Sequence, residues 1–272
     1  MIGLFDSGLG GLSVWREVAK ELPSQSTLYV GDQSHVPYGP KPAETLVRYS
    51  EGITRFLHEQ QCRAIVVACN SASAAALEPL RRTFPDTVFV GMEPAVKPAA
   101  ARTKSGVVLV LATPATLKGE LFAATTARFA QGVTVIGEPC PGLVEEIESG
   151  GGASEKAEAM LRAFLARGLA AGADEIVLAC THYPFVIETV RRLAGPGVEV
   201  IDPAPAVARQ LRRLLREREA GGAAPTHRFL TTAKDARAFA HAVRDLTGTD
   251  PVTGCLEWTA LGGLTEVSVE TS

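Results

Sequence analysis

The sequence predicts an α/β fold made of two similar doubly wound, mainly parallel-sheet domains, on three observations. Short apolar runs alternate with helical patterns, the signature of βα units around a parallel sheet. The runs are rich in Val, Ile and Leu without strict alternation, as expected when helices cover both faces of a strand. An internal repeat then divides the chain. Taken in order, strands are expected at Ile2–Phe5, Thr27–Val30, Ala64–Ala68, Val88–Val90, Val107–Leu111, Val133–Ile136, Glu175–Leu178 and Val198–Ile201. Ala43–Gln60 carries Leu46, Tyr49, Ile53 and Leu57 at helical spacing. A second helix starts after Ser154, a suitable N-cap, with Met160, Leu161, Phe164 and Leu165 on one face. The arginines of 212–219 are interrupted by Glu217 and Glu219, which reads as a solvated helix face. The Gly/Ala-rich stretch 220–225 reads as a mobile loop.

The repeat pairs Ala64-Ile-Val-Val-Ala-Cys69-Asn70-Ser71 with Glu175-Ile-Val-Leu-Ala-Cys180-Thr181-His182. Tyr29-Val-Gly-Asp32 resembles Val135-Ile-Gly-Glu138, and Leu4-Phe-Asp-Ser7 resembles Val110-Leu-Ala-Thr113. Three matches in one order point to two equivalent halves, each placing a cysteine just past a buried strand. Ligands of open parallel sheets bind at the carboxyl ends of strands, so two facing halves would aim Cys69 and Cys180 at one ligand.

Composition narrows the function. A length of 272 residues suggests about 1.8 domains and a core that needs no staples. With 46% apolar and 21% charged residues the chain is globular. A net charge of −3 gives no basic excess for a nucleic-acid backbone. No apolar run reaches the length of about 18 residues needed for a membrane span, and the start lacks a basic, signal-like region. The expectation is a cytoplasmic protein that binds neither membrane nor nucleic acid. Its five cysteines are then free thiols, none spaced as C-x2-C, so no metal site is expected. Cys62 and Cys255 read as small buried hydrophobes, and Cys140 stays open.

The glycines after Asp6 do not form a dinucleotide fingerprint, because Ser13 stands where the third glycine belongs. No phosphate loop occurs, so no nucleotide cofactor is expected. Asp6 and Ser7 lie between a strand and a helix, where Asp6 is either a helix N-cap or a site carboxylate. Val36-Pro-Tyr-Gly-Pro40 is a rigid turn displaying Tyr38. A single cysteine past a strand is more often core than catalytic. Here two of them repeat with polar neighbours at strand-to-helix switches, which favours function, since a helix N-terminus promotes the thiolate. His182, two residues from Cys180, suits acid/base support.

Four stretches, Ile2-Gly-Leu-Phe-Asp6-Ser7-Gly-Leu-Gly-Gly-Leu-Ser13, Val36-Pro-Tyr38-Gly39, Val67-Ala-Cys69-Asn70-Ser71-Ala72 and Leu178-Ala-Cys180-Thr181-His182-Tyr-Pro184, resemble those of the glutamate racemases, in family order and spacing. The likeness spans about residues 1–210. It implies two α/β domains related by pseudo-symmetry, 1–95 with 208–272 and 96–207, with the active site in the interdomain cleft. It implies cofactor-independent interconversion of L- and D-glutamate, supplying peptidoglycan synthesis and so cell shape, by a homodimer. By match to the family's motifs, Cys69 and Cys180 are the catalytic acid/base pair. Asp6 assists Cys69, while Glu148 and His182 stand near Cys180. The substrate would be held by Asp6, Ser7, Tyr38, Gly39, Asn70, Ser71, Thr113, Thr116, Thr181 and His182.

The chain departs from the family pattern at Leu117-Lys-Gly-Glu-Leu-Phe122, where relatives carry a serine and a tyrosine, and at Asp202-Pro203. From Gly254 onward no match stands. The first motif has no extension before it, so the activation by a cell-wall precursor that accompanies such an extension is not expected. Inverting a stereocentre needs one proton-transfer group on each face of the α-carbon, and two cysteines on matched halves supply that. Three other readings stay open: a racemase of aspartate or another amino acid, a thiol hydrolase using Cys180 with His182, and a two-lobed binding protein. Aspartate-type relatives tend to carry a glutamate where His182 stands. Neither of the last two readings accounts for a second, equivalent cysteine.

Overall fold

The computed structural model describes residues 1–215 and 224–267. Along the chain run β1 Ile2–Asp6, α1 Leu12–Glu21, β2 Thr27–Gly31, α2 Ala43–Glu59, β3 Ala64–Val67, α3 Asn70–Thr83 and β4 Val88–Gly91. There follow α4 Val96–Arg102, β5 Val107–Ala112, α5 Pro114–Lys118, α6 Glu120–Phe129, β6 Thr134–Pro139, α7 Leu143–Glu148, α8 Glu155–Ala170 and β7 Glu175–Ala179. The last are α9 Ile187–Ala194, β8 Glu199–Ile201, α10 Ala204–Leu215, β9 His227–Thr231, α11 Ala236–Thr247, β10 Val252–Trp258 and β11 Leu264–Val267. The chain separates into two compact units, Met1–Met92 with Ala204–Ser272, and Glu93–Pro203.

All eight strands expected from the apolar runs form. Seven differ from the reading by one residue at one end, and β6 continues to Pro139. Their apolar content follows from burial: β1, β2, β3 and β7 have no exposed residue. Three strands were not foreseen. β9 begins His-Arg and β10 carries a glycine and a glutamate, so neither presents an uninterrupted apolar run. Both are recruited by tertiary pairing. β9 adds in parallel to β2, with Thr27 Oγ1 linking Trp15 Nε1 at 2.8 Å and His227 Nδ1 at 2.9 Å. β10 follows in parallel, and β11 closes the edge as an antiparallel hairpin strand.

The helices follow their sequence signals. α2 buries Leu46, Ile53 and Leu57, and Ser154 caps α8 by accepting the Ala157 N–H at 3.0 Å. Leu161 and Leu165 are the buried members of the α8 face, while Met160 and Phe164 are half-buried. In the first unit α2 and α3 cover a core of Phe5, Val30, Ile65 and Val67. Arg212 and Arg213 are exposed, and Arg212 pairs with Glu21 of α1 at 3.0 Å. Glu217, Glu219 and positions 220–223 of the expected loop lie outside the described residues.

The repeat appears as matched strand order. The first sheet reads β11-β10-β9-β2-β1-β3-β4 and the second β6-β5-β7-β8, so β2-β1-β3-β4 corresponds to β6-β5-β7-β8. Leu4 lies between Tyr29 and Val66, and Val110 lies between Gly137 and Val177. The sequence matches of Leu4 with Val110, and of Val66 with Val177, therefore agree with the register. Tyr29 corresponds to Gly137 rather than Val135. The slip is two residues, so side chains keep their faces and the sequence pattern could not reveal it.

Gly11 is needed for space rather than for conformation, since its φ is −62°. A Cβ there would stand 2.6 Å from Asp6 Cβ and 2.8 Å from Tyr29 Oη. Gly11→Ala is expected to lower unfolding free energy by about 1–3 kcal/mol and to push the Asp6 turn aside. Chemical denaturation checks the first effect, and an unchanged midpoint would refute the close packing.

Candidate functional site

In the first unit the candidate residues gather at the carboxyl ends of β1 and β3. Asp6 is fully buried, and its Oδ1 accepts the Gly8 N–H at 2.8 Å and the Ser7 hydroxyl at 3.3 Å. It closes the turn into α1 but does not cap that helix, whose N-cap is Gly11. Cys69 lies two residues beyond β3, with extended backbone at φ −140° and ψ 121°, as the N-cap of the 14-residue helix α3. Phe5 pairs with Val67 and its carbonyl accepts the Ala68 N–H at 2.8 Å, which sets the two strand ends side by side. The backbone N–H groups at the start of α3 favour an anion beside Cys69. Asn70 carries a further signal. Its side-chain oxygen and nitrogen are both buried and neither has a partner among the described residues, an arrangement that suits a ligand with a donor and an acceptor. Ser71 follows it, buried, on the first turn.

Tyr38 is not displayed on its turn. The side chain is 1% exposed, within the same core cluster as Cys69, and its hydroxyl donates to Asp32 Oδ2 at 2.6 Å. Burial, then the charge and hydrogen bond of Asp32, then Cys69 and Asp6, push the Tyr38 phenol well above its usual range. It therefore stays protonated. Gly39 is buried beside it. Asp32 was missed as a site residue. Its only sequence signal was its place at the end of the repeat segment Tyr29–Asp32.

In the second unit the equivalent strand ends carry different chemistry. Thr113 caps α5, its Oγ1 accepting the Thr116 N–H at 3.3 Å and lying 3.0 Å from Thr116 Oγ1. Ala112 pairs with Ala179, so Thr113 and Cys180 leave neighbouring strands together. Cys180 is not at an α-helix N-terminus, because a 3-10 turn, Tyr183–Val186, precedes α9. Its partner is an imidazole: His182 Nδ1 lies 3.8 Å from the sulfur, and Nε2 lies 2.6 Å from Glu148 Oε1 at the end of α7. Burial opposes a charge on His182, but the hydrogen bonds and charges of Cys180 and Glu148 prevail and raise its pKa well above the ordinary range. Those two partners, 3.8 and 2.6 Å away, thus favour the charged form of the imidazole. Thr181 is buried between them in sequence.

Cys140 belongs to this group. It follows β6, donates to the Glu138 carbonyl at 3.5 Å, and burial pushes its thiol up to about 12. The buried Tyr183 phenol interacts with both Cys140 and Cys180. Cys62 and Cys255 are buried in the first unit, and burial pushes Cys62 up to about 11. Leu117, one of the departures from the family pattern, packs against the bare backbone of Gly137 in β6, where a Cβ would stand 2.9 Å from it. Among the described residues no group of three His, Cys, Asp or Glu side chains could hold a metal ion, and no helix is long and apolar enough to cross a membrane.

Each unit thus carries a buried thiol just past a strand end, and in the second unit a carboxylate-held imidazole faces it. The profile of the Asp/Glu/Hydantoin racemase family matches residues 10–211, and the chain belongs to that family, an isomerase of amino acids. Within it, the chain is 52% identical over 234 residues to a glutamate racemase from Pseudomonas aeruginosa, covering 85% of this chain and 88% of the relative. The structure resembles a Bacillus anthracis glutamate racemase isoform at TM-score 0.87 and 28% identity, over 94% of this chain and 97% of that one. An Escherichia coli glutamate racemase in complex with L-glutamate and the activator UDP-MurNAc-Ala matches at TM-score 0.83 and 29% identity, over 98% and 99%.

Removing the Glu148 charge takes away one cause of the raised His182 pKa. Glu148→Gln is expected to move the His182 ring titration, followed by NMR, to lower pH, and the alkaline limb of activity should fall with it. A limb that stays put while the ring titration moves would separate His182 from catalysis.

Proposed function

We propose that this chain interconverts L- and D-glutamate without a cofactor, Cys69 and Cys180 serving as the two proton-transfer groups. The observation that carries this reading is the equivalence of the two thiols. Each lies just past the third strand of a matched β2-β1-β3-β4 or β6-β5-β7-β8 order, with a polar residue after it, and Cys180 has in addition an imidazole held by Glu148. The glutamate racemases among the relatives, one of them holding L-glutamate, support the substrate.

In the reaction one thiolate takes the α-proton, so an S–H bond forms as the C–H bond breaks and the electron pair passes to the α-carbon. The other thiol gives its proton to the opposite face, forming the new C–H bond and leaving a thiolate. The α-carbon is poorly acidic beside a carboxylate, so the charge developing on that carboxylate needs donors. The N–H groups at the start of α3, the Asn70 amide and the hydroxyls of Ser71, Thr113, Thr116 and Thr181 are suited to this. Asp6 and His182 manage the protons of the neighbouring sulfurs. The D-glutamate formed would serve peptidoglycan synthesis in the cytoplasm.

The Cys180–His182–Glu148 chain also has the order nucleophile, base and orienting acid of a thiol hydrolase. That reading leaves the equivalent Cys69 idle. Proton NMR of the protein with L-glutamate in D2O, followed by chiral analysis, separates them: the α-proton signal should vanish as D-glutamate appears. Cys69→Ser and Cys180→Ser should each lose at least about 10²-fold in both directions while remaining folded. Full activity of Cys69→Ser would sink the two-thiol mechanism.

A further inference from the structure

Asp32 is completely buried, and its carboxylate gathers donors from distant parts of the first unit. Oδ2 accepts the Tyr38 hydroxyl at 2.6 Å. Oδ1 accepts Thr232 Oγ1 at 2.8 Å, Trp258 Nε1 at 2.8 Å and Ser34 Oγ at 3.3 Å. His35 Nδ1 lies 2.9 Å from Oδ2 and 3.1 Å from Oδ1. The Asp32 backbone N–H donates to the Asp6 carbonyl at 2.9 Å. One residue therefore ties the Asp6 strand end, the Tyr38 turn and the C-terminal strands together.

A buried carboxylate is a costly way to fill space, and an apolar side chain would hold the same elements more cheaply. What the charge adds is direction. A carboxylate can only accept, so the single proton of the Tyr38 hydroxyl is committed to Asp32. Toward its other side the Tyr38 oxygen offers lone pairs alone, and the side chain packs in the same core cluster as Cys69. The fixed carboxylate is in turn held by Thr232, just past β9, and by Trp258, which ends β10 and packs its ring 5.5 Å from Tyr49 and 5.4 Å from His35.

The position recurs in the second unit with other chemistry. The Cys140 N–H donates to the Ala112 carbonyl at 3.0 Å, as Asp32 does to Asp6, and the buried Tyr183 phenol lies close enough to Cys140 for the two to interact. Each unit thus brings a buried tyrosine to its second strand end. Only the first fixes it with a carboxylate.

The geometry points to Asp32 as a positioning residue that orients Tyr38 as a hydrogen-bond acceptor beside Cys69, with the C-terminal strands, through Trp258 and Thr232, as part of that device. The inference rests on the racemase reading for its catalytic consequence. It gives the segment beyond residue 211, where the family match ends, a role in the site.

Asp32→Asn keeps the shape but gives Tyr38 a donor, releasing the Tyr38 proton toward the site. Its kcat for glutamate is expected to fall about 10²-fold in both directions, with a smaller change in KM. Because Asp32 acts through Tyr38, the double variant with Tyr38→Phe should be no slower than the slower single variant. Multiplying effects, or a folded Asp32→Asn with kcat within about twofold of the parent, would overturn the inference. Should Asp32→Asn fail to fold, Trp258→Phe removes one donor and keeps the ring. A lowered kcat that Tyr38→Phe does not compound is expected, whereas a lower melting temperature with unchanged kcat would reduce the network to scaffolding. Iodoacetamide alkylation of Cys69, followed by peptide mass spectrometry, is independent of racemisation. It should quicken in Asp32→Asn and Trp258→Phe even if the parent proves inactive on glutamate, and unchanged rates in both would count against the inference.

Discussion

β1 and β5 are hydrogen-bonded on both edges and buried on both faces, and the placing of polar chemistry follows from that constraint. A strand so enclosed cannot carry an unpaired charge along its length without a large desolvation cost. Polar side chains are displaced to the point where the ladder ends. In β1 that point is Asp6 and Ser7, and after β5 it is Thr113. The neighbouring strands end at the same level, so Cys69 and Cys180 arrive beside these residues through register alone. Gly11 belongs to the same constraint, because the chain must turn back under Asp6 without a side chain of its own.

Equal placement did not produce equal environments. Cys69 caps a long helix and has buried carboxylate chemistry around it in Asp6 and, through Tyr38, Asp32. Cys180 has a 3-10 turn in place of a helix start, and its neighbour is the His182 imidazole held by Glu148. Helix termini and charged imidazoles are alternative ways to favour an anion in a buried place. In the proposed two-thiol mechanism each sulfur acts in both roles. It does not require the two to be tuned by the same groups.

The strands, the two long helices and the cysteine pair were legible because each is a local signal. Apolar runs mark strands buried on both faces, and Ser154 marks a helix start whatever surrounds it. Cys69-Asn70-Ser71 and Cys180-Thr181-His182 could be matched because the polar residues directly follow the strand that positions them. Asp32 was missed for the converse reason. Its partners Tyr38, Thr232 and Trp258 lie 6, 200 and 226 residues away, and no pattern near Asp32 records them. β9 and β10 were missed because each is a strand by virtue of the neighbour it joins. Tyr38 was expected on the outside of a rigid turn, yet the turn folds inward once a buried carboxylate accepts its hydroxyl.

The sequence by itself determined the α/β class, the duplicated order of elements and the two thiols, since these depend on hydrophobic periodicity and on residues adjacent in the chain. Tertiary structure alone decided which side chains surround each thiol, the two-residue slip between β2 and β6, and the joining of the C-terminal strands to the first sheet. Hydrogen bonding to a buried carboxylate and pairing along a strand edge are satisfied by whatever group arrives in space. Their partners therefore leave no mark in the local sequence.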